Sequence, residues 1–257
     1  MNKIALKEKL MRGELCLGSW ITLGHSGIAE IFARSGFDWV VVDLEHSMIS
    51  IDQAGDLIRT IDLAGAVPLV RLTSNNSDQI KRIMDAGACG IVVPNINSVE
   101  EAMQAISATR YAPLGNRGVG LGRAQDYGPG FKDYLEWQKN GPIVIVMIEN
   151  ISALKNLKEI LSLKGVDGFI IGPYDLSCSM GIPGEFEKKE FVSTIQFILE
   201  EGIKAKCPAG IHIVEPDIKQ LGNIINMGYR LIAYGVDIRM LDIACREGIK
   251  FAKATLI

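Results

Sequence analysis

The sequence predicts an α/β fold of the (β/α)8 (TIM) barrel type, with one extra helix at the N-terminus. Eight short apolar runs alternate with segments of helical apolar spacing. Most of the runs are uninterrupted, as expected for parallel strands that are covered on both faces. A chain of 257 residues has a normal length for one such barrel, so a single domain over residues 1–257 is predicted. A doubly wound sheet is the alternative, but it usually has fewer strands, and no dinucleotide fingerprint follows the first strand.

The predicted strands are recognised by their β-branched and aromatic composition. In chain order the first four contain the runs CLGSWIT, FDWVVVD, VPLVR and GIVVP. The last four contain VIVMI, GFII, AGIHIV and LIAYG. The predicted strands occupy residues 15–22, 37–43, 67–71, 90–94, 144–148, 168–171, 209–214 and 231–235.

The predicted helices are recognised by apolar residues that recur every three or four positions. Glycines in DAGACG and MGYR fall between a helix and a strand, where a glycine commonly ends the helix in a left-handed conformation. An amphipathic helix is predicted at the N-terminus, within MNKIALKEKLMRGE. The other predicted helices occupy residues 27–35, 51–63, 78–85, 99–109, 131–139, 151–163, 191–201, 217–227 and 238–252.

Composition and charge exclude several classes of protein. The formal net charge of −3 and the lack of a Lys/Arg-rich run argue against nucleic-acid binding. No apolar run approaches the ~20 residues that span a bilayer, and the N-terminus lacks the apolar region of a signal peptide. The five cysteines are scattered without a CxxC pair, which favours reduced thiols and a cytoplasmic location.

One connection is much longer than the others. Residues 110–141 join the fourth helix of the barrel to the fifth strand, and they are rich in glycine and proline and include Arg117 and Arg123. Loops of this length in compact domains are usually functional or disordered. Because the segment precedes a strand, it must wrap around the barrel or reach a neighbouring subunit in order to meet an active site.

Two acidic residues follow two predicted strands that one helix joins. Glu149 comes directly after residues 144–148, and Asp175 comes shortly after residues 168–171. Neighbouring parallel strands point the same way, so these carboxylates can converge at one site. Two oxygen ligands with room for water and substrate are typical of a catalytic Mg²⁺ site. The alternative is that both are acids of a helix start or a loop, where they complement the helix dipole.

Further candidates fall at the predicted C-terminal ends of strands, where the active site of a barrel lies. Asp43 precedes His46 by three residues, and a carboxylate near an imidazole can make it a general base; a surface histidine is the alternative. Arg71 ends a buried strand and therefore needs an anion, either a substrate or an internal partner such as Asp43 or Asp85. The complete set is Trp20, Asp43, Glu45, His46, Arg71, Pro94, Glu149, Asp175, His212 and Asp237, with His212 expected in the core or the pocket wall.

Several motifs in combination resemble the HpcH/HpaI aldolase family, the metal-dependent class II pyruvate aldolases. They are GFDWVVVDLEHS, VRL, DAGACGIVVPNI, YAP-x-G-x-RG and GPYDLS-x-S-x-G-x-PG, within residues 18–235. The resemblance implies a phosphoenolpyruvate/pyruvate-type barrel that cleaves a 4-hydroxy-2-oxo acid to pyruvate and an aldehyde. It also implies a divalent cation (Mg²⁺, Mn²⁺ or Co²⁺) that stabilises the enolate, and a homo-oligomer, typically a hexamer built from trimers.

The resemblance assigns catalytic roles to individual residues. Glu149 and Asp175 match the metal-binding carboxylates, and Arg71 matches the arginine that stabilises the enolate oxygen. His46 matches the base, with Asp43 as its orienting acid.

The resemblance also implies the surroundings of the substrate. Asp85 matches a further acid of the site. Gly172 and Pro173 would line the pyruvate pocket with their backbone, and Trp20 is predicted to contact the substrate. Residues 117–120 would approach the site of a neighbouring subunit.

One position departs from the family pattern. The family usually has a glutamine two residues before the metal-binding glutamate, and this chain has Met147. A thioether cannot donate a hydrogen bond, and losing such a contact weakens pyruvate binding by roughly 1–3 kcal/mol. The alternative function is therefore a condensing enzyme or lyase for a different oxo acid, of citrate-forming or decarboxylating type. A barrel that only binds a small carboxylate is a third interpretation, which the presence of acids, arginine and histidine together disfavours.

Overall fold

A computed structural model describes residues 3–255 of the chain. Its eight strands form a closed parallel barrel in chain order, and the eighth strand pairs with the first. The predicted (β/α)8 barrel is thereby confirmed. The strands are β1 (Cys16–Ile21), β2 (Trp39–Asp43), β3 (Val67–Arg71), β4 (Gly90–Val93), β5 (Ile143–Ile148), β6 (Gly168–Ile171), β7 (Ala209–Ile213) and β8 (Leu231–Val236).

The helices surround the barrel and agree closely with the predicted positions. Gly87 and Gly228, which follow helices, have φ values of +103° and +98°, as predicted for left-handed helix ends. In the described part of the chain no helix is long and apolar enough to cross a membrane. The helices are α1 (Lys3–Met11), α2 (Ser26–Arg34), α3 (Ile51–Leu63), α4 (Ser77–Asp85), α5 (Val99–Ala108), α6 (Phe131–Trp137), α7 (Leu157–Leu161), α8 (Pro173–Ser179), α9 (Lys189–Ala205), α10 (Ile218–Asn226) and α11 (Asp237–Thr255).

Two helical predictions differ from the structure. The predicted helix over residues 151–163 is a 3-10 helix (Ile151–Asn156) followed by the short α7. Asn156 separates the two, because its side chain donates a hydrogen bond of 2.9 Å to the backbone carbonyl of Asn97. Helix α8 is not predicted from the sequence, since only two of its seven residues are buried and no apolar period is visible. Its proline at the first position suits a helix start.

Helix α1 closes the N-terminal end of the barrel. Its Leu6 and Leu10 are buried in the core inside the barrel. Lys7 Nζ donates to the carbonyl of Pro142 at 2.8 Å and to Asp167 Oδ2 at 3.1 Å, and both partners precede a strand. Because α1 covers the N-terminal end, substrate access is confined to the other end of the barrel. The first two residues of the predicted helix lie outside the described part of the chain.

The interior of the barrel is filled with side chains. Trp39, Val41, Leu69 and Ile145 are fully buried there. Gly18 on β1 allows the Trp39 indole to lie across the neighbouring strand, since a Cβ at Gly18 would be only 2.1 Å from the ring. The barrel is thus a packed core without a channel, and it supports a site only at its C-terminal rim.

Candidate active site

The C-terminal end of the barrel contains a cavity of about 360 Å³. Its floor is formed by apolar side chains of the interior core, including Met147 and Ile170. Eight predicted site residues line it, namely Trp20, Asp43, His46, Arg71, Gly172, Pro173, Asp175 and His212. The predicted metal ligand Glu149 lies against Gly172 at the edge of this cavity. The structure therefore brings most of the predicted site residues to one rim. Pro94, Asp85 and Asp237 do not line the cavity, and Asp237 accepts hydrogen bonds from the backbone N–H groups of Thr22 and Leu23.

Arg71 is the centre of a partly buried ion-pair network at the ends of β2 and β3. The two strands place Arg71 directly opposite Asp43. Arg71 Nε and Nη2 donate to the two oxygens of Asp43 at 2.8 and 2.6 Å, and Nη1 lies 3.1 Å from Glu45 Oε2. Of the two internal partners considered from the sequence, Asp43 is therefore the one present. Asp43 engages two of the five N–H groups of the guanidinium, so others are available to an anionic ligand.

The predicted orientation of the His46 imidazole by Asp43 is wrong. Asp43 Oδ1 accepts a hydrogen bond of 3.3 Å from the backbone N–H of His46, while its oxygens bind Arg71. The reason is that Asp43 is buried at the end of β2, whereas His46 lies in the following loop with 67% of its side chain exposed. His46 Nε2 lies 3.9 Å from Glu45 Oε2. Asp43 thus holds Arg71 and the loop backbone, and Glu45, to which the sequence assigns no role, is the acid beside the imidazole.

Glu149 is a buried carboxylate held at the end of β5. Glu149 is 7% exposed, and its Oε1 accepts a hydrogen bond of 2.6 Å from the backbone N–H of Asn95. Gly172 makes room for it, since a Cβ there would lie 2.6 Å from Oε2. Burial raises the pKa of Glu149 to about 7, with the nearby charges of Glu45 and Asp175 acting in the same direction. The carboxylate therefore lacks a full compensating charge from the protein.

The rim carries more negative than positive charge. Burial raises the pKa of Glu45, with Asp43 and Asp175 acting in the same direction and Arg71 against them. The carboxylate oxygens of Glu149 and Asp175 are the ligand type that hard divalent cations prefer, and a cation would offset their repulsion. The donor set thus fits a divalent cation held by two carboxylates. No group of three or more His, Cys, Asp or Glu in ligand geometry occurs within residues 3–255.

Aromatic side chains form one wall of the cavity. The Trp20 ring stacks on the His212 ring with centroids 5.1 Å apart and an angle of 13° between planes, and Arg71 Cζ lies 4.4 Å from the Trp20 ring. His212 Nε2 is 2.9 Å from the backbone carbonyl of Gly235. Burial lowers the pKa of His212 to about 4, so its ring is neutral near pH 7. His212 lies in the pocket wall, as expected from its apolar strand.

Comparison with known proteins identifies the family. A sequence model of the HpcH/HpaI aldolase/citrate lyase family matches residues 17–242. The chain belongs to this family. The resemblance found in the sequence motifs is thereby confirmed, and membership identifies the chain as a lyase-type enzyme that acts on small molecules.

Similar proteins share the fold over almost the whole chain. The 2-keto-3-deoxy-L-rhamnonate aldolase of Escherichia coli (strain K12) is 34% identical over 254 residues, which cover 96% of this chain and 92% of that protein. An HpcH/HpaI aldolase/citrate lyase family structure from Burkholderia cenocepacia J2315 has a TM-score of 0.90 at 29% identity, covering 97% and 99% of the two chains. The structure of the citrate synthase SbnG has a TM-score of 0.85 at 26% identity, covering 97% and 98%.

In this HpcH/HpaI family member, Asp85 lies away from the cavity of its own subunit, and its role as a further acid of the site stays a prediction. Helix α4 runs back from the C-terminal end of β3, so its last residue, Asp85, lies near the N-terminal end of the barrel. Asp85 Oδ1 is 3.9 Å from Arg117 Nη2, and a Cβ at Gly120 would lie 2.9 Å from Oδ2. Asp85 therefore supports the long connection that contains residues 117–120.

The side chain of Arg117 is turned into its own subunit. Its Nη2 donates to the Tyr134 hydroxyl at 2.7 Å, and Cζ lies 4.3 Å from the Tyr111 ring. The exposed side chains that follow it are apolar, with Val119 at 61% and Leu121 at 62% exposure. Arg117 thus fixes the connection from inside, and the tip that follows it is apolar.

Proposed function

We propose that this family member is a divalent-metal-dependent aldolase, which cleaves a 4-hydroxy-2-oxo acid reversibly to pyruvate and an aldehyde. The observation that carries the proposal is one cavity lined by Asp175 and the oriented guanidinium of Arg71, with the Glu149 carboxylate against Gly172 at its edge. The guanidinium, together with a cation held by the two carboxylates, suits an anionic substrate whose negative charge grows during the reaction. The 34% identity to an aldolase supports the same class of reaction.

Glu149 and Asp175 would hold the cation, which is Mg²⁺, Mn²⁺ or Co²⁺ in this proposal. When bound, such a cation polarises the oxygens of the oxo acid and stabilises the negative charge that develops on them. Gly172 keeps the path of the Glu149 carboxylate open, because any larger residue would meet Oε2. Gly172 and Pro173 would contact the oxo acid through their backbone at the start of α8.

The protein's own residues divide the remaining work. Arg71, fixed by Asp43 at 2.6 and 2.8 Å, is oriented before substrate binds and stabilises the enolate oxygen. His46 accepts the proton of the 4-hydroxyl group as the C3–C4 bond breaks, and the bond electrons pass to the enolate. In the condensation direction His46 returns that proton to the new hydroxyl. No lysine is among the assigned residues, so the mechanism needs no Schiff base.

Chelation and reduction test this proposal. Treatment with EDTA is expected to abolish aldol cleavage, and Mg²⁺, Mn²⁺ or Co²⁺ is expected to restore it. Glu149→Ala is expected to lose activity, whereas Glu159→Ala, the same change at an exposed acid on α7, serves as its matched control and is expected to keep it. A covalent adduct trapped by borohydride with substrate, or full activity after chelation, would contradict the proposal.

Met147 favours a second candidate function within the same family. It occupies the cavity floor with 5% exposure, and its thioether offers the substrate no hydrogen-bond donor. A condensing enzyme or lyase for another oxo acid is therefore the alternative, and the similarity to a citrate synthase is compatible with it. Loss of deuterium from labelled pyruvate distinguishes the two, because an enzyme that does not use pyruvate as its nucleophile will not exchange its methyl hydrogens.

We also propose that the protein forms a cytoplasmic homo-oligomer, with a hexamer as the expected state. Helix α11 has exposed apolar side chains, including Ile249 at 58% and Phe251 at 75%, and the tip at Val119 is apolar as well. Such surfaces suit contacts between subunits. All five cysteines are free, which suits a reducing compartment. Sedimentation analysis of the purified protein tests the oligomeric state, and a monomer would contradict it.

A further inference from the structure

The loop after β4 contains a residue with an unusual backbone conformation. Asn95 lies two residues after the end of β4, and its φ of +54° is in the left-handed region. Residues other than glycine rarely adopt this conformation, although asparagine tolerates it better than most. Backbone strain of this kind concentrates at functional sites, where the surrounding structure maintains it. A contact that this conformation makes possible is therefore expected.

That contact is a hydrogen bond to the predicted metal ligand. The Asn95 backbone N–H donates to Glu149 Oε1 at 2.6 Å, a short distance that is typical of bonds to a charged carboxylate. The other oxygen, Oε2, lies on the side of Gly172, where a Cβ would be 2.6 Å from it. Gly172 lines the cavity. Asn95 thus holds one oxygen of the carboxylate and leaves the other on the side of the cavity.

Asn97 holds Asn95 in the left-handed conformation. Asn97 Nδ2 donates to the backbone carbonyl of Asn95 at 3.0 Å and to Asn95 Oδ1 at 2.9 Å. Rotation about the N–Cα bond changes the angle between the N–H and the carbonyl group of a residue, so fixing the carbonyl and the side chain also sets the direction of the N–H. The direction of the N–H that reaches Glu149 therefore depends on the side chain of Asn97.

Asn97 is itself anchored on several sides. Its backbone N–H donates to Glu101 Oε2 at 2.7 Å, and the same glutamate forms the capping box at the start of α5. Its carbonyl accepts from Asn156 at 2.9 Å, and its Oδ1 lies 3.0 Å from the hydroxyl of Ser152, three residues after Glu149. Asn97 therefore joins the loop after β4 to the segment that follows the predicted ligand.

We infer that Asn95 and Asn97 are positioning residues for the Glu149 carboxylate: Asn97 keeps Asn95 in the left-handed conformation, and the Asn95 N–H fixes Oε1 so that Oε2 is presented to the cation. This inference rests on the proposed function, which assigns Glu149 as a ligand. The like charges of Glu45 and Asp175 act against the charge of Glu149, so a fixed donor is required to hold it in place before a cation binds. A ligand oriented in advance loses less freedom on binding and gives a higher affinity.

Variants of Asn95 test the conformation through Mg²⁺ binding, measured by calorimetry on the metal-free protein. Asn95→Gly keeps the N–H and adopts positive φ readily, so its Kd is expected to stay within about twofold of wild type. Asn95→Val also keeps the N–H, but a β-branched residue disfavours positive φ, so its Kd is expected to rise about tenfold or more. Equal Kd values for Asn95→Gly and Asn95→Val would overturn the inference.

A matched control places the same strain elsewhere in the chain. Lys206 has φ of +55° at the end of α9, and it does not line the cavity. Lys206→Val is therefore expected to strain the backbone as Asn95→Val does and to leave the Kd for Mg²⁺ unchanged. A Kd raised as much in Lys206→Val as in Asn95→Val would show a general effect of destabilisation and overturn the inference.

Rescue separates a positioning role from a merely structural one. Asn97→Ala is expected to raise the Kd for Mg²⁺ about threefold or more, because Asn95 loses both hydrogen bonds to Asn97. Combining it with Asn95→Gly is expected to return most of the lost affinity, because glycine adopts positive φ without support from a neighbour. Wild-type affinity in Asn97→Ala, or no recovery in the double variant, would overturn the inference.

Hydrogen exchange separates this inference from the proposed function. In EDTA, mass spectrometry is expected to show faster exchange of the residue 95 amide in Asn97→Ala and in Glu149→Ala than in wild type, and a wild-type rate in Lys206→Val. That result in a protein that binds no Mg²⁺ would contradict the proposed metal site and still support the positioning of Glu149. Equal exchange in wild type and Asn97→Ala would overturn the inference whether or not the metal binds.

Discussion

Replacing Glu149 by glutamine is expected to stabilise the metal-free protein at high pH while abolishing its response to metal. Burial raises the pKa of Glu149 from an ordinary value of 4.5 to about 7. The folded protein therefore binds more protons than the unfolded chain between these two pH values, and its free energy of unfolding falls as the pH rises through them. Glutamine keeps an oxygen that can accept from the Asn95 N–H, but it carries no charge.

The magnitude follows from the size of the shift. A difference of 2.5 pKa units, from 4.5 to 7, corresponds to about 3 kcal/mol at 1.36 kcal/mol per unit. The loss of stability that comes from ionising the buried Glu149 carboxyl group is small near pH 5 and complete above pH 8. The difference in unfolding free energy between Glu149→Gln and wild type is therefore expected to change by about 2–3 kcal/mol in favour of the variant between these pH values.

Urea unfolding in EDTA at pH 5 and pH 8, at one protein concentration, measures this difference. Addition of Mg²⁺ at about 100 times its Kd is expected to stabilise the wild type by about 2.7 kcal/mol and to leave the variant unchanged. Comparison of the variant with wild type cancels the titration of other groups. A difference that is the same at both pH values would refute the reasoning that an uncompensated charge is buried at Glu149, and equal stabilisation of both proteins by Mg²⁺ would refute its role as a ligand.

Three further substitutions test the site. Gly172→Ala is expected to weaken metal binding at least tenfold by calorimetry, because the new Cβ would lie 2.6 Å from Glu149 Oε2; unchanged affinity would contradict this. Arg71→Lys is expected to lower kcat/KM by roughly 10²–10³-fold, since lysine cannot reproduce the bidentate contact with Asp43, and near-normal kinetics would count against preorganisation. Met147→Gln is expected to tighten pyruvate binding by about 1–3 kcal/mol in deuterium-exchange or calorimetric measurements, whereas weaker binding would show that the floor is not built for pyruvate.

Much of the fold follows from local sequence patterns. The predicted bounds of β3, β6 and α3 agree with the structure residue for residue, because each has a strong apolar pattern with clear ends. Helix α8 has no such pattern, so the sequence left Asp175 in a loop although it lies in the first turn of a helix. The break at Asn156 was also invisible, because it depends on a hydrogen bond to Asn97, which lies far away in the chain.

The candidate site also has features that the sequence predicts and features that it does not. Position at a strand end was sufficient to select Glu149, Arg71 and His46, because parallel strands in a barrel all deliver their C-terminal residues to one rim. Asp85 was selected by the family resemblance and not by a strand end, and as the last residue of α4 it lies toward the opposite end of the barrel in its own subunit. A motif match identifies a residue type at a chain position, but it does not give the direction in which the element runs.

The sequence by itself determined the family, the barrel and the set of charged residues at its rim, since these depend on local composition and on the order of elements along the chain. Only the tertiary structure decided the pairings among them. Asp43 pairs with Arg71 and not with the His46 imidazole. Trp20 on β1 stacks on His212, which lies on β7 far along the chain. The physical reason is that such pairs form where the barrel brings strands within hydrogen-bonding or stacking distance of each other. The spacing of residues along the sequence does not reveal that distance.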